Sequence, residues 1–386
     1  MQKKLIALAI AGLSSAAFAQ TNVTIYGVAD ATFDFITVKD GNTGANNPNF
    51  NRVSTNGSRI GFRGTENLGN GLNAIFQFES DANFDTGGGL NTARDSFVGL
   101  SGNFGKVLLG TLTGPTRALG EAIDVNAGAD GINSNKAVLG KLGGALTQFN
   151  GASLSDTRWN NAIAYVSPSF SGLQATAVYT TSENKSENPL FKINTNGYDL
   201  GLNYNNGPVM VGAAYNQVNE RNGGFLGGIA GTGNDEKIKV WRVGGMYDFG
   251  NATVRVLFDR TKADGSLRNA KQTVWGIGGT YNVTANGKIT GQYYKAKDLS
   301  GNTGSLSNSD TGAKFYTIGY EHSLSKRTML KAGYAYLKND NQVNTNGVNG
   351  AGGYDFGNNP ASANAGVRIG DGVKLSGLQF GLRHAF

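Results

Sequence analysis

The feature that most constrains this chain is an alternation of apolar and polar residues, with a period of two, that recurs from residue 21 to the carboxyl end. Successive side chains of a strand point to opposite faces, so each alternating segment has one apolar face and one polar face. Leu72, Ala74, Phe76 and Phe78 oppose Asn73, Gln77 and Glu79, and Leu173, Ala175, Ala177 and Tyr179 oppose Gln174, Thr176 and Thr180. Tyr198, Leu200, Leu202 and Tyr204 oppose Asp199 and Asn203, while Val254, Val256 and Phe258 oppose Arg255 and Asp259. The same holds around Trp275, Ile277 and Tyr281, around Tyr316, Ile318 and Tyr320, and around Leu330, Ala332, Tyr334 and Tyr336. Carried along the chain, the pattern predicts sixteen strands, at 21–37, 56–67, 71–82, 93–101, 105–112, 158–167, 172–181, 196–205, 209–218, 237–247, 252–261, 272–283, 288–297, 313–324, 328–339 and 372–386.

Connection lengths then decide between a sandwich and a barrel. Tight turns such as Leu68-Gly69-Asn70, Asn206-Gly207-Pro208 and Ala285-Asn286-Gly287 alternate with long polar segments, including Val38–Thr55, Thr113–Thr157 and Asp340–Asp371. A sandwich has no reason to gather its long loops at one edge. A membrane barrel does, with short periplasmic turns and long external loops. In hydrocarbon every backbone N–H and C=O must be paired within the protein, so a span made of strands must close on itself. The expected fold is all-β, a 16-stranded antiparallel transmembrane β-barrel. Tyr179, Tyr204, Tyr247, Tyr281 and Tyr336, at strand ends, read as interfacial girdles.

Composition agrees with this and closes other routes. The 386 residues include 59 Gly and 44 Asn but only 16% charged residues, a poor basis for a coiled coil and a good one for turns and loops. With no Cys and only His322 and His384, disulfide frameworks, thiol chemistry and Cys-rich zinc sites are excluded, and no cofactor or metal is expected. Lys3 and Lys4, the apolar run Leu5–Leu13 and Ala17-Phe18-Ala19 read as a secretory signal peptide over residues 1–19, followed by a single domain at 20–386. Its removal lowers the formal net charge from +7 to +5, spread along the chain, which is no nucleic-acid footprint.

Four stretches resemble the general trimeric porins of Gram-negative bacteria, in the branch typical of β-proteobacteria and Neisseria. They are Val23-Thr24-Ile25-Tyr26-Gly27-Val28-Ala29-Asp30, the run from Ser58 to Leu72, Ser96-Phe97-Val98-Gly99-Leu100 with Phe104-Gly105, and the ending Gly381-Leu382-Arg383-His384-Ala385-Phe386. The resemblance implies an outer-membrane homotrimer, both termini periplasmic, that passes small hydrophilic solutes and ions and is no enzyme. Its implied partners are a second and third copy, outer-membrane lipid and lipopolysaccharide, and the barrel-assembly machinery. Phe386, His384, Leu382 and Phe380 resemble the signal by which that machinery receives its clients.

In the family the third external loop folds into the barrel and narrows it; here that segment is 113–157, which carries the acids Glu121, Asp124 and Asp130 along with Arg117, Lys136 and Lys141. On the wall, Arg59 and Arg63 share parity opposite Ile60 and Phe62, so both guanidiniums are expected to point into the lumen. Arg94 begins the fourth predicted strand and Arg158 the sixth, with Asn160, Ala162 and Ala164 expected on one inward face with Arg158. By resemblance Arg59, Arg94 and Arg158 form a basic cluster facing the loop acids, a transverse field that favours anions. At Leu109-Gly110-Thr111 the family usually carries an arginine after the glycine, and its absence implies only a weak anion preference. Three rivals stay open at this level: a solute-specific channel, a surface adhesin or β-solenoid passenger, and an outer-membrane enzyme. Against the second stands the lack of a self-similar period.

Overall fold

The computed structural model describes residues 22–39, 49–87, 89–90, 94–140, 156, 158–181, 186–188, 191–221, 236–265, 269–302, 308–341, 354–356 and 372–386. The expected signal segment at 1–19 lies outside them. The sixteen strands are β1 Asn22–Lys39; β2, in two pieces, Phe50–Thr55 and Arg59–Gly69; β3 Leu72–Asp81; β4 Ser96–Gly102; β5 Gly105–Thr113; β6 Arg158–Val166; β7 Leu173–Thr181; and β8 Phe191–Asn206. They continue as β9 Val209–Arg221, β10 Glu236–Asp248, β11 Ala252–Gly265, β12 Asn269–Asn282, β13 Gly287–Ala296, β14 Ala313–Ser323, β15 Thr328–Asn339 and β16 Lys374–Ala385. Each pairs antiparallel with its neighbours, and β1 pairs with β16 from Val28↔Ala385 to Lys39↔Lys374, which closes the sheet into a barrel. Gly27 and Phe386 exchange both backbone hydrogen bonds at 3.0 Å and finish the seam. Short pieces at Ser186–Asn188 and Ser300–Asn302 extend the sheet at the end that bears the long connections. No described helix is long and apolar enough to cross a membrane.

The alternation sorts as the sequence predicts. Phe78, Leu200, Phe258, Ile277 and Tyr316 stand exposed on the outer face, while Glu79, Asp199 and Asp259, one step along from Phe78, Leu200 and Phe258, are buried inside. Several strands run past their predicted ends on the long-loop side, notably β8 to Phe191 and β11 to Gly265, because pairing continues for as long as the partner does. The first long connection is correspondingly shorter than expected, since Phe50–Thr55 pairs with β1.

One local expectation fails. Between β5 and β6 the register slips at Gly110/Leu112, and Asn161 takes φ 50°. The extra residue of this bulge shifts the parity of everything beyond it. Trp159 is therefore buried, and Asn160 stands exposed, not beside Ala162 and Ala164 on the inner face.

Candidate functional site

The third long connection opens on Gly114 and forms helix α1, Pro115–Ile123. Pro suits the first helical position, where its missing N–H would be unpaired anyway. The barrel wall holds both helix ends with charges of the appropriate sign. At the amino end, the Asp199 carboxylate of β8 accepts from the Thr116 backbone N–H at 3.2 Å and from its hydroxyl at 2.7 Å. At the carboxyl end, Arg255 of β11 donates to the Ala122 carbonyl at 3.3 Å and the Asp124 carbonyl at 2.5 Å. An anion at the start and a cation at the end both complement the helix dipole, each contributing about 0.3–1 kcal/mol where exposed and more where buried.

Between these ends α1 lies on wall glycines of the inward series. A Cβ at Gly212 would fall 2.6 Å from Leu119, so the helix rests where the wall has no side chain. Beyond α1 the segment crosses the inner face: the Ala127 N–H donates to Glu321 of β14 at 3.0 Å, and Ile132 sits against Gly377 of β16. Arg242 of β10, fully buried, clasps the start and the return of the segment together. Its guanidinium donates to the Thr116 carbonyl at 2.8 Å and to both Asp156 oxygens at 2.6 and 2.9 Å, with Asp259 at 2.8 Å behind it.

The expected loop acids fall into different environments. Glu121 is partly exposed and pairs with Arg117 at 2.8 Å and Lys136 at 3.5 Å. Burial pushes its carboxyl up, but Lys136 and Arg117 outweigh that and hold it below the usual glutamate range, with Arg158 adding in the same sense. Asp130 is buried, with Lys136 3.9 Å away. Asp124 is an internal brace: its oxygens accept from the Asn126 N–H, the Asn135 N–H, the Ser134 hydroxyl and Gln292, and its carboxylate is not open to the lumen. Burial still pushes its carboxyl above the ordinary aspartate value.

On the wall, Arg59 and Arg94 converge on Glu79, Arg59 at 3.5 Å, and Arg94 also reaches Asp81 at 3.0 Å. Arg94 lies just before β4, not within a strand. Arg158 binds Asp95 at 2.9 Å and lies within the fields of Arg94 and Arg117. The four charges from β2, the second loop, β6 and α1 thus form one neighbourhood with Glu121 on its loop side. Arg63 stands apart, exposed over the Tyr26 ring at 5.0 Å. Thr111, at the position of the missing arginine, donates to Asn160 at 3.1 Å across the bulge. His384 meets the Thr328 hydroxyl at 2.9 Å and His322 stacks on Tyr320, and no described cluster of acids and histidines could hold a metal.

Sequence reasoning passed over the acids Glu79, Asp81 and Asp95 and the fasteners Asp199, Arg242, Arg255 and Asp259. Their signal was a charge at an inward position of a strand, which by itself does not say what it faces.

The Glu121 pairing carries a pH expectation. Its pKa is lower in the folded protein than in the unfolded chain, so its contribution is complete above the unfolded value, about 4.3, and is lost as pH falls through the lower folded value. The Glu121-dependent part of the ionic current through the barrel should therefore be unchanged from pH 7 to 5, alter only under more acidic conditions, and be missing in Glu121→Gln. A Glu121-dependent change already complete at pH 5 would contradict this.

The Gram-negative porin family model matches residues 5–342. Outer membrane porin protein 32 of Delftia acidovorans is 33% identical over alignments covering 100% of both chains. An outer membrane porin protein of Bordetella pertussis is 30% identical, covering 88% of this chain and 95% of that one. Among solved structures, an anion-selective porin from Comamonas acidovorans superposes with a TM-score of 0.73 at 30% identity, covering 95% of this chain and 100% of the other.

Proposed function

The chain belongs to the Gram-negative porins, and from that premise we propose how this outer-membrane channel is narrowed and which ions it prefers. It is a multi-pass outer-membrane protein whose barrel passes small hydrophilic solutes, and its relatives are channels, not enzymes. The segment 113–157 is its constriction, with Arg59, Arg94, Arg158 and Arg117 as the basic side and Glu121 and Asp130 as the loop acids. Arg63 adds positive potential deeper in the lumen, and Asp124 serves to hold the loop.

One observation carries the reading: Glu121 of the loop pairs with Arg117 at 2.8 Å and lies in the field of Arg158 of the wall, beside Arg94, so charge of both signs meets where the loop approaches the wall. Such a transverse field orders water and favours polar solutes over apolar ones. Arg59, Arg94, Arg117 and Arg158 each have an acid partner, so the excess positive potential is small and the anion preference weak. Similarity to an anion-selective porin supports the sign. Residues 1–19 are a signal peptide, the mature chain assembles as a homotrimer, and Phe380, Leu382, His384 and Phe386 are the strand recognised by the assembly machinery. The exposed outer faces of Phe380, Leu382 and Phe386 support that last role.

Reversal potentials in planar bilayers under a KCl gradient test the selectivity. The wild-type channel should prefer chloride, and Arg59→Ala and Arg158→Ala should each reduce that preference roughly threefold, the worth of one screened charge at ~0.6 kcal/mol. Absence of conductance, or a cation preference indifferent to both substitutions, would overturn the proposal.

A further inference from the structure

The inner wall carries an apolar band that a purely electrostatic pore does not need. Cross-strand register places Ile75, Gly99, Leu108, Ala164 and Val178 in one row across β3, β4, β5, β6 and β7. Phe97 lies in the next row toward the long loops, opposite Gln77. Phe78, Val98, Leu109, Ile163 and Tyr179, of the other parity on the same strands, stand exposed on the outer face, so the band faces the lumen. Leu108, Ala164 and Val178 are buried in one cluster, and Ile75 and Phe97 pack on it while remaining partly open. A Cβ at Gly99 would fall 2.8 Å from a Leu108 methyl, so Leu108 leans over Gly99 on the side of Ile75. One row nearer the tight turns the wall is polar again, with Asn73, Ser101 and Lys106 in register.

Arg63 of β2 is the charge beside this band. It stands opposite Gln77, in the row of Phe97, and is the diagonal neighbour of Ile75. Its guanidinium is exposed over the Tyr26 ring, and among the described residues no carboxylate pairs with it. Arg59, Arg94 and Arg158, by contrast, are committed to Glu79, Asp81 and Asp95. Diagonal neighbours in a sheet lie about 7–8 Å apart, within reach of long and aromatic side chains. The steps from Arg63 to Ile75 and from Ile75 to Phe97 are both of this kind. One free cation and two open apolar side chains can therefore touch the same small molecule.

We propose that Arg63, Ile75 and Phe97 form a subsite, on the tight-turn side of the constriction, for small organic monoanions that carry an apolar tail. This rests on the channel reading above and adds a solute class and the residues that select it. The guanidinium offers a carboxylate both charge and a fork of donors. Ile75 and Phe97 take the tail out of water, an effect that grows with the apolar area covered. Chloride uses the first half of the site alone. The band thus sorts anions by their apolar surface, a property to which the arginine cluster at the constriction is blind.

The test is block of chloride current in planar bilayers by acetate, propanoate, butanoate and hexanoate. Full burial of a methylene is worth roughly fourfold in affinity, and a wall that covers one side of the tail gives about half that free energy, so block should strengthen about twofold per methylene. Joint replacement Ile75→Gln and Phe97→Gln should flatten the series, with acetate block and KCl conductance as in the wild type, which shows that the variant is folded. Arg63→Gln should instead weaken every member about threefold and keep the dependence on chain length. Alkylammonium ions of the same lengths should not block. If the double variant does not insert, Ile75→Thr, which keeps the β-branch, carries the same comparison and should reduce the dependence on chain length. A wild type that does not conduct KCl would strike the porin reading. One that conducts but is blocked equally at every chain length overturns this proposal alone. So does a chain-length dependence unchanged in the glutamine variant, or equal block by the alkylammonium ions.

Discussion

Replacing Arg242 with alanine should release the third loop, giving larger and noisier single-channel currents and a barrel that unfolds at lower temperature. Arg242 is 0% exposed and ties the Thr116 carbonyl, Asp156 and Asp259 together. Its loss takes the guanidinium away from two carboxylates in a poorly hydrated space, a change that costs about 3–5 kcal/mol in comparable buried pairs. A Cβ at Gly120 would fall 2.5 Å from the same guanidinium, so α1 also loses the surface it packs on. Arg242→Lys should recover only part of the effect, because an ammonium cannot serve Asp156 bidentately while also reaching the carbonyl and Asp259. Combining Arg242→Met with Asp156→Asn and Asp259→Asn removes those charges as well. It should restore thermal stability more fully than it restores quiet current. Unfolding temperatures from heat-modifiable gel migration, with bilayer recordings, check both halves. Arg242→Ala with wild-type current and stability would show that the segment is held elsewhere.

The second large effect is expected at Phe356, far along the chain from that segment. Phe356 and Tyr354 are both fully buried, in a cluster with Ile132, Val138 and Leu139 of the third loop and with Ile36, Leu337 and Leu375 of the wall. Over Gly377 of β16, Ile132 and Phe356 meet: a Cβ there would lie 2.7 Å from Ile132 and 3.3 Å from Phe356. Tyr354 and Phe356 of the last long connection thus press on Ile132 of the third loop. The connection is fixed there by Asn339, which accepts from the Tyr354 N–H at 2.9 Å and donates to its carbonyl at 3.0 Å. Phe356→Ala should cost about 3–5 kcal/mol through the cavity it leaves, against less than about 1.5 kcal/mol for Phe356→Leu. Because the cavity opens beside Ile132, conductance fluctuations should rise in Phe356→Ala. Limited proteolysis should then cut the third loop before the strands. A variant destabilised to that extent with silent, unaltered currents would separate the two loops.

The strands were legible because their signal is local. Phe78 and Glu79, or Phe258 and Asp259, take opposite faces through backbone geometry alone, and the lipid outside and water inside require the pattern to persist along each span. Arg59 and Arg63 were placed by the same rule. It broke at Asn161, where a single residue in the left-handed region shifted the count for Trp159 and Asn160. Asp124 was misread for a related reason: it is an acid in the right segment, but four donors from that segment and from Gln292 enclose it.

By itself, then, the sequence determined the sixteen spans, their inward and outward faces and the length asymmetry of their connections. Tertiary structure decided the path of the third loop and the partner of each charge. Thr116 meets Asp199 across 83 residues, Arg242 meets Thr116 across 126, and Arg383 meets Asp30 across 353. Alternation fixes which side of a strand a residue occupies. Only closure of the barrel determines which residues then face one another across it.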